Sequence, residues 1–147
     1  RDHSDLECVK EALREAGAED IRLFAKIENM DGVRKLEKLL PAADEIVIAR
    51  GDLGNAVHLW DLPGVQRQIS EKCRAAGKPF MVVTQMLASM ERSPVPTRAE
   101  VNDIFHAVMD GAASIMVTGE TAVGDYPVEV IRYMVNTVRS AEKEENR

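Results

Sequence analysis

Four groups of polar residues stand where apolar runs stop. Lys26 and Glu28 close the run that starts at Ile21, and Arg50 and Asp52 follow Glu45-Ile46-Val47-Ile48-Ala49. Thr84 and Gln85 follow Phe80-Met81-Val82-Val83, and Thr118, Glu120 and Thr121 close the run that starts at Ser114. Glu28 and Asp52 are oxygen ligands of the kind Mg²⁺ or Mn²⁺ takes while keeping water and substrate oxygens in its other positions. On a strand Lys26 and Glu28 face the same side, about 7 Å apart. A cation beside a metal ion is unfavourable unless something anionic lies between them, and an enolate or a phosphoryl group suits that pattern. Gly51-Asp52-Leu53-Gly54 would also let a carboxylate or phosphate approach backbone N–H groups. Each group has a plainer use too: Lys26 with Glu28 as an ion pair, Thr84 as a capping hydroxyl, and Asp52 as the cap of a glycine-containing turn.

The elements that must carry these residues are legible from periodicity. Runs that are apolar throughout mark strands of a sheet covered on both faces, which is usually parallel with intervening helices. Strands are expected over residues 21–28, 45–49, 80–84 and 114–118, and each is followed by a helical pattern. An opening helix over about residues 4–16 stops at Gly17. Val33, Leu36, Leu39 and Leu40 mark a helix ended by Pro41, and an irregular loop runs to Leu62 before a helix over 63–76. Thr97-Arg98-Ala99-Glu100 reads as a capping box, and Asp125-Tyr126-Pro127 starts a last long helix that runs into Glu142-Lys143-Glu144-Glu145-Asn146-Arg147. The spacing of the strands is the roughly 30-residue rhythm of βα units. The fold class is therefore α/β, with four parallel βα units after one helix, and residues 1–147 read as one domain. Parallel, adjacent strands would bring the four polar groups to one rim, where active sites of such folds lie.

Composition narrows the partners. The 147 residues are 45% hydrophobic and 30% charged, with a formal net charge of -6. That charge argues against sequence-independent nucleic-acid binding, which needs clustered Lys and Arg. No stretch is apolar enough to span a membrane, and Arg1-Asp2-His3-Ser4-Asp5 has no signal-peptide character, so the expected location is the cytoplasm. Cys8 and Cys73 are expected on helix faces in a reducing compartment. His3, His58 and His106 share no ligand spacing, Trp60 reads as a core anchor or subunit contact, and Met81, Met86 and Met90 read as packing. Dinucleotide, P-loop and nucleophile-elbow motifs are missing from the sequence.

The motifs resemble those of pyruvate kinase. They are Ala25-Lys26-Ile27-Glu28-Asn29 with Gly32-Val33, Ala49-Arg50-Gly51-Asp52-Leu53-Gly54, Ala76-Gly77-Lys78-Pro79, and Thr84-Gln85-Met86-Leu87 with Ser89-Met90. Pro96-Thr97-Arg98-Ala99-Glu100 and Met109-Asp110-Gly111-Ala112 through Gly119-Glu120-Thr121-Ala122 to Gly124-Asp125-Tyr126-Pro127 continue the series in family order. The resemblance implies the second half of a (β/α)₈ TIM barrel, strands five to eight, and phosphoryl transfer between phosphoenolpyruvate and ADP with a divalent metal and K⁺. It implies that Glu28 and Asp52 hold Mg²⁺ or Mn²⁺, and that Lys26 stabilises the enolate and the transferring phosphoryl group. Ala49, Gly51 and Asp52 would contact the substrate carboxylate, Thr84 would sit near the carbon that is protonated, and Arg50 and Glu120 would support the groups in front of them. The family's arginine for the phosphoryl group, its K⁺ ligands and much of its nucleotide site belong to its first four strands, so the resemblance assigns no ADP or ATP site to these residues. Asn55-Ala56-Val57-His58 and Val123 depart from the family pattern.

Three functional expectations follow. One is a portion of a pyruvate kinase. Another is a self-associating half-barrel module without catalysis, because four βα units leave two open sheet edges that a homodimer could close. The third is a metal-dependent lyase or decarboxylase acting through a pyruvate enolate.

Overall fold

The computed structural model describes residues 2–145, so Arg1, Asn146 and Arg147 of the two charged ends lie outside the described residues. Helix α1 spans His3–Glu15, where Asp2 accepts from the His3 N–H and forms a capping box with Asp5. Its stop is Gly17, at φ 66°, a conformation that glycine adopts without a Cβ penalty. Strand β1 covers only Phe24–Ile27, shorter than the 21–28 expected. The difference has a local cause: the Leu23 N–H donates to Asp44 Oδ2 at 2.6 Å instead of to a neighbouring strand.

The helix expected over 33–40 is two short ones, α2 Met30–Arg34 and α3 Leu36–Leu39, separated at Lys35. Asn29 caps α2 through the Gly32 N–H at 3.0 Å. Strand β2, Glu45–Ala49, is buried at all five positions. The chain then passes directly into helix α4, Arg50–Ala56, so the glycine-containing turn is helical and the irregular loop shrinks to Val57–Asp61. Helix α5 spans Leu62–Ala75 with proline in its first turn. Strand β3 is Phe80–Val83, and a 3-10 turn covers Ala88–Glu91. Helix α6 spans Arg98–Met109 behind the Thr97–Glu100 capping box, and β4 is Ser114–Met116. A four-residue helix, α7 Gly119–Ala122, precedes α8, Pro127–Glu145.

The strands form one parallel sheet in the order β1-β2-β3-β4, as the sequence predicts. In β1 and β2, Lys26 pairs with Val47 and Ile27 with Ile48. The chain divides into two compact units, one up to Met81 and one from Val82. In the first, Ile27, Leu36, Ile46, Ile48, Leu53 and Ile69 are at most 1% exposed. Burial of one such side chain is worth about 1.5–3 kcal/mol, so β2 and the helices on it form the anchor of that unit. In the second, Val82, Met86, Leu87, Met90, Ile104 and Val130 are fully buried. Met86 and Met90 are thus packing residues, as expected.

Packing differs from expectation at two places. Trp60 is 77% exposed, so of its two expected uses the core anchor is excluded; its ring stacks on His58 with centroids 4.6 Å apart. Helix α1 buries no residue fully despite its amphipathic pattern, and Cys8 on it is exposed. Its first turn is joined to the residue between α2 and α3 by an Asp2–Lys35 ion pair at 2.9 Å, while Leu6 and Leu13 on it are half-buried. Cys73 is buried as expected, and loss of solvent pushes its thiol up to about 11. His3, His58 and His106 are all on the surface.

Candidate active site

Register decides what meets at the end of the first unit's strands. Ile27 faces Ile48, so the next residues along are Glu28 on one strand and Ala49 on the other. Beyond Ala49 the chain turns into α4, which puts Gly51 and Asp52 in a first helical turn, where N–H groups lack an acceptor within the helix. Lys26 points to the open face of β1, between the buried Ala25 and Ile27. Its Nζ lies 2.6 Å from Glu28 Oε1, with the two side chains 55% and 39% exposed. The hydrogen bond that Lys26 donates to Glu28 and the charge of that carboxylate, helped more weakly by the charge of Asp52, hold the Lys26 ammonium above the usual lysine range despite some desolvation.

Two carboxylates therefore act on one ammonium. A cavity of about 300 Å³ opens beside Lys26 and Glu28, with Asn29, Gly32, Asp2 and Asp5 also in its wall. Among the described residues no group of three or more His, Cys, Asp and Glu side chains is gathered as a metal cage. Glu28 and Asp52 are hard oxygen donors, the ligand type that Mg²⁺ or Mn²⁺ takes while keeping water and substrate in its other positions.

The second unit places Thr84, Gln85 and Glu120. Thr84 and Gln85 follow β3 with φ of 83° and 54°, and they are the two non-glycine residues with positive φ among those described. Such a conformation costs on the order of 1–3 kcal/mol per residue, and a β-branched residue adopts it least readily. No sequence signal marks it. Glu120 is 2% exposed, with Oε1 accepting from the Leu87 N–H at 3.1 Å and Oε2 from the Thr118 N–H at 2.8 Å. Both of its carboxylate oxygens thus accept from main-chain donors in a buried position. Glu100, legible only as a cap, does more: Oε1 accepts from the Ser89 N–H at 2.7 Å and Oε2 from the Ser89 hydroxyl at 2.6 Å.

Parallel strands with helices between them, and Lys26 and Glu28 in the wall of a cavity at the end of the first, define an α/β barrel-type protein. The chain matches the family described as the barrel domain of pyruvate kinase over residues 1–131. It is 42% identical to the pyruvate kinase of Clostridium acetobutylicum over 146 residues, covering 99% of this chain and 31% of that protein. With the pyruvate kinase of Bacillus licheniformis the identity is 44% over 140 residues, 95% of this chain and 24% of that protein. With that of Dictyostelium discoideum it is 45% over 142 residues, 97% and 28%. The chain belongs to the pyruvate kinase family, as its barrel domain, and spans a third or less of the length of these curated relatives. No described helix is long and apolar enough to cross a membrane.

Proposed function

We propose that this chain supplies the metal- and enolate-holding part of a pyruvate kinase, with residues 1–147 acting as one half-barrel domain in phosphoryl transfer between phosphoenolpyruvate and ADP. The observation that carries this reading is the Lys26 ammonium held 2.6 Å from Glu28 and within the field of Asp52. Glu28 and Asp52 would hold Mg²⁺ or Mn²⁺, and the ion, when bound, would withdraw charge from substrate oxygens. Lys26 would face the charge that develops on the enolate and the transferring phosphoryl oxygens. The main chain at Ala49, Gly51 and Asp52 would orient the substrate carboxylate, with Arg50 supporting that turn. Thr84 would serve proton transfer to the methylene carbon, directly or through water, with Glu120 behind it. The resemblance assigns K⁺ to the family and places its ligands outside this chain.

Two assays test the reading: pyruvate formation from phosphoenolpyruvate with ADP, and metal-dependent exchange of the pyruvate methyl protons. Both activities support it. Exchange without phosphoryl transfer favours an enolate lyase or decarboxylase, and activity in neither defeats the catalytic reading for this chain.

A specific observation favours self-association alongside it. Phe24 is 40% exposed on β1, an edge strand of the sheet, which is the kind of surface a second copy covers. A homodimer is expected in sedimentation at micromolar concentration, and a stable monomer there would exclude it.

A further inference from the structure

We infer that Glu120 and Glu100 are positioning residues that hold Thr84 in its left-handed backbone conformation, by fixing the main chain just beyond it at Leu87 and Ser89. The observation behind this is a strained turn with carboxylate anchors on one side and a strand on the other. Thr84 and Gln85 hold φ of 83° and 54°, which L residues adopt only where their surroundings impose it. On one side Val83 is buried in β3. On the other, Met86 and Leu87 are fully buried, and the Leu87 N–H is committed to Glu120 Oε1 at 3.1 Å. Two residues on, the Ser89 N–H and hydroxyl are committed to the two oxygens of Glu100.

The anchors are themselves fixed. The second oxygen of Glu120 takes the Thr118 N–H at 2.8 Å, and α7, which carries Glu120, is followed by Asp125, whose N–H donates to the Glu91 carbonyl at 2.9 Å. Glu100 also accepts from the Thr97 N–H at 2.8 Å and from the Thr97 hydroxyl at 2.8 Å, so the first turn of α6 stands behind it. Charge-assisted hydrogen bonds to main-chain donors are stronger than neutral ones, and in a buried place they are not exchanged for water. Two carboxylates from separate elements thus pull on one stretch of backbone, three and five residues past Thr84. Glu120 on this account is an anchor and takes no part in proton transfer.

The catalytic half of the inference rests on the proposed function, and the structural half does not. The test uses this chain with Glu120→Gln and, separately, Glu100→Gln, whose site is nearer the surface and spares the fold if the first variant is unstable. An amide side chain keeps one acceptor oxygen and turns an N–H toward the other main-chain donor. Amide hydrogen exchange at Leu87 in the first variant and at Ser89 in the second is expected to quicken by about tenfold or more. The HN–Hα coupling of Thr84 is expected to move off its left-handed value in both. In the pyruvate methyl exchange assay kcat is expected to fall with KM for pyruvate and the shape of the pH profile unchanged. Unaltered amide protection together with an unaltered Thr84 coupling overturns the inference. So does the loss of a limb of the pH profile in Glu120→Gln, which would make Glu120 a proton carrier. If the parent chain shows no methyl exchange, the proposed function fails while amide exchange and coupling still judge the anchors.

Discussion

Lys26 Nζ lies 2.6 Å from Glu28 Oε1 across a single intervening residue of strand. Both side chains are well exposed, so the pair adds little to stability, and its effect is to set charge. Its main consequence is for the ammonium, raised above the ordinary lysine value of 10.5 first by the hydrogen bond it donates to Glu28. The direction fixes the pH dependence: the interaction is complete below the unfolded lysine value and is lost as pH rises through the folded one. Glu28→Gln should bring the Lys26 pKa down toward the ordinary value. Acylation of Lys26 above neutral pH, followed by peptide mass mapping, should then run faster in the variant than in the parent. Equal rates would show that Glu28 does not hold the ammonium.

The same trio makes opposite predictions for a metal. Glu28→Gln or Asp52→Asn removes a hard oxygen donor and should weaken Mn²⁺ binding, read by water-proton relaxation, by about tenfold or more. Lys26→Met removes the cation that competes for the same carboxylates. On the proposed function it should tighten Mn²⁺ binding in the absence of substrate and abolish the further tightening expected on addition of phosphoenolpyruvate. Weaker Mn²⁺ binding in Lys26→Met would place the lysine's role elsewhere.

How far the sequence reaches is clear from these residues. Lys26, Glu28 and Asp52 could be found because each ends an apolar run, and strand period 2 puts Lys26 and Glu28 on one side. The order of strands and most helices follow from the same patterns. What escapes is whatever depends on one backbone angle or on a contact distant in sequence. The positive φ at Thr84 and Gln85 has no local signature, since neither residue is glycine or asparagine. The second use of Glu100, on Ser89, is hidden behind its capping box. Trp60 reads as a core anchor or a subunit contact because large aromatic residues usually are one or the other; its segment, Val57–Asp61, lies between two helices and leaves the ring exposed against His58, which excludes the anchor.

Two glycines around α7 should respond differently to alanine. At Gly119 an added Cβ would meet the Glu91 carboxylate, the far end of a flexible side chain that can swing away. At Gly124 it would press on the Glu120 carbonyl and lie 3.1 Å from Glu91 Cα, both main-chain positions. Gly119→Ala should therefore change stability by about 0.5 kcal/mol or less, while Gly124→Ala should cost about 1–3 kcal/mol, the usual range for overpacking. Urea unfolding of the two variants decides it, and equal effects would mean that the backbone of α7 yields as easily as a side chain.

Acid should loosen the second unit at a definable point. Burial favours the neutral form of Glu100, but hydrogen bonds from Ser89 and Thr97 outweigh it and hold the carboxyl below its usual value of 4.5. A carboxylate lowered in the folded state contributes stability above its unfolded pKa and loses it as pH falls through the folded one. Once pH has fallen below the folded value, parent and Glu100→Gln should converge in stability, having differed near neutrality. Thr97→Ala, which removes only the cap hydroxyl, should cost about 1 kcal/mol. Unfolding midpoints collected across the acid range test both expectations, and a gap that persists at low pH would count against the ionised form as the source.

Strain at the end of β3 predicts a trade between stability and chemistry. Gln85 at φ 54° is costly for any residue with a Cβ, by about 1–2 kcal/mol, and glycine at that position removes the cost while adding roughly 0.5–1 kcal/mol of unfolded-chain entropy. Gln85→Gly should leave the chain equally stable or more stable by up to about 1 kcal/mol, whereas the β-branched Gln85→Val should destabilise it. Thr84→Gly should gain more than Gln85→Gly, because a β-branched residue at φ 83° is the more strained of the two. Yet Thr84→Gly also removes the hydroxyl proposed to serve proton transfer, so its methyl-exchange rate should fall while Thr84→Ser keeps most of it. Urea titrations and methyl exchange on the same four variants set the two effects side by side. If Thr84→Gly gains stability without losing exchange, the strained hydroxyl has no part in the proposed chemistry and the turn is held for packing alone.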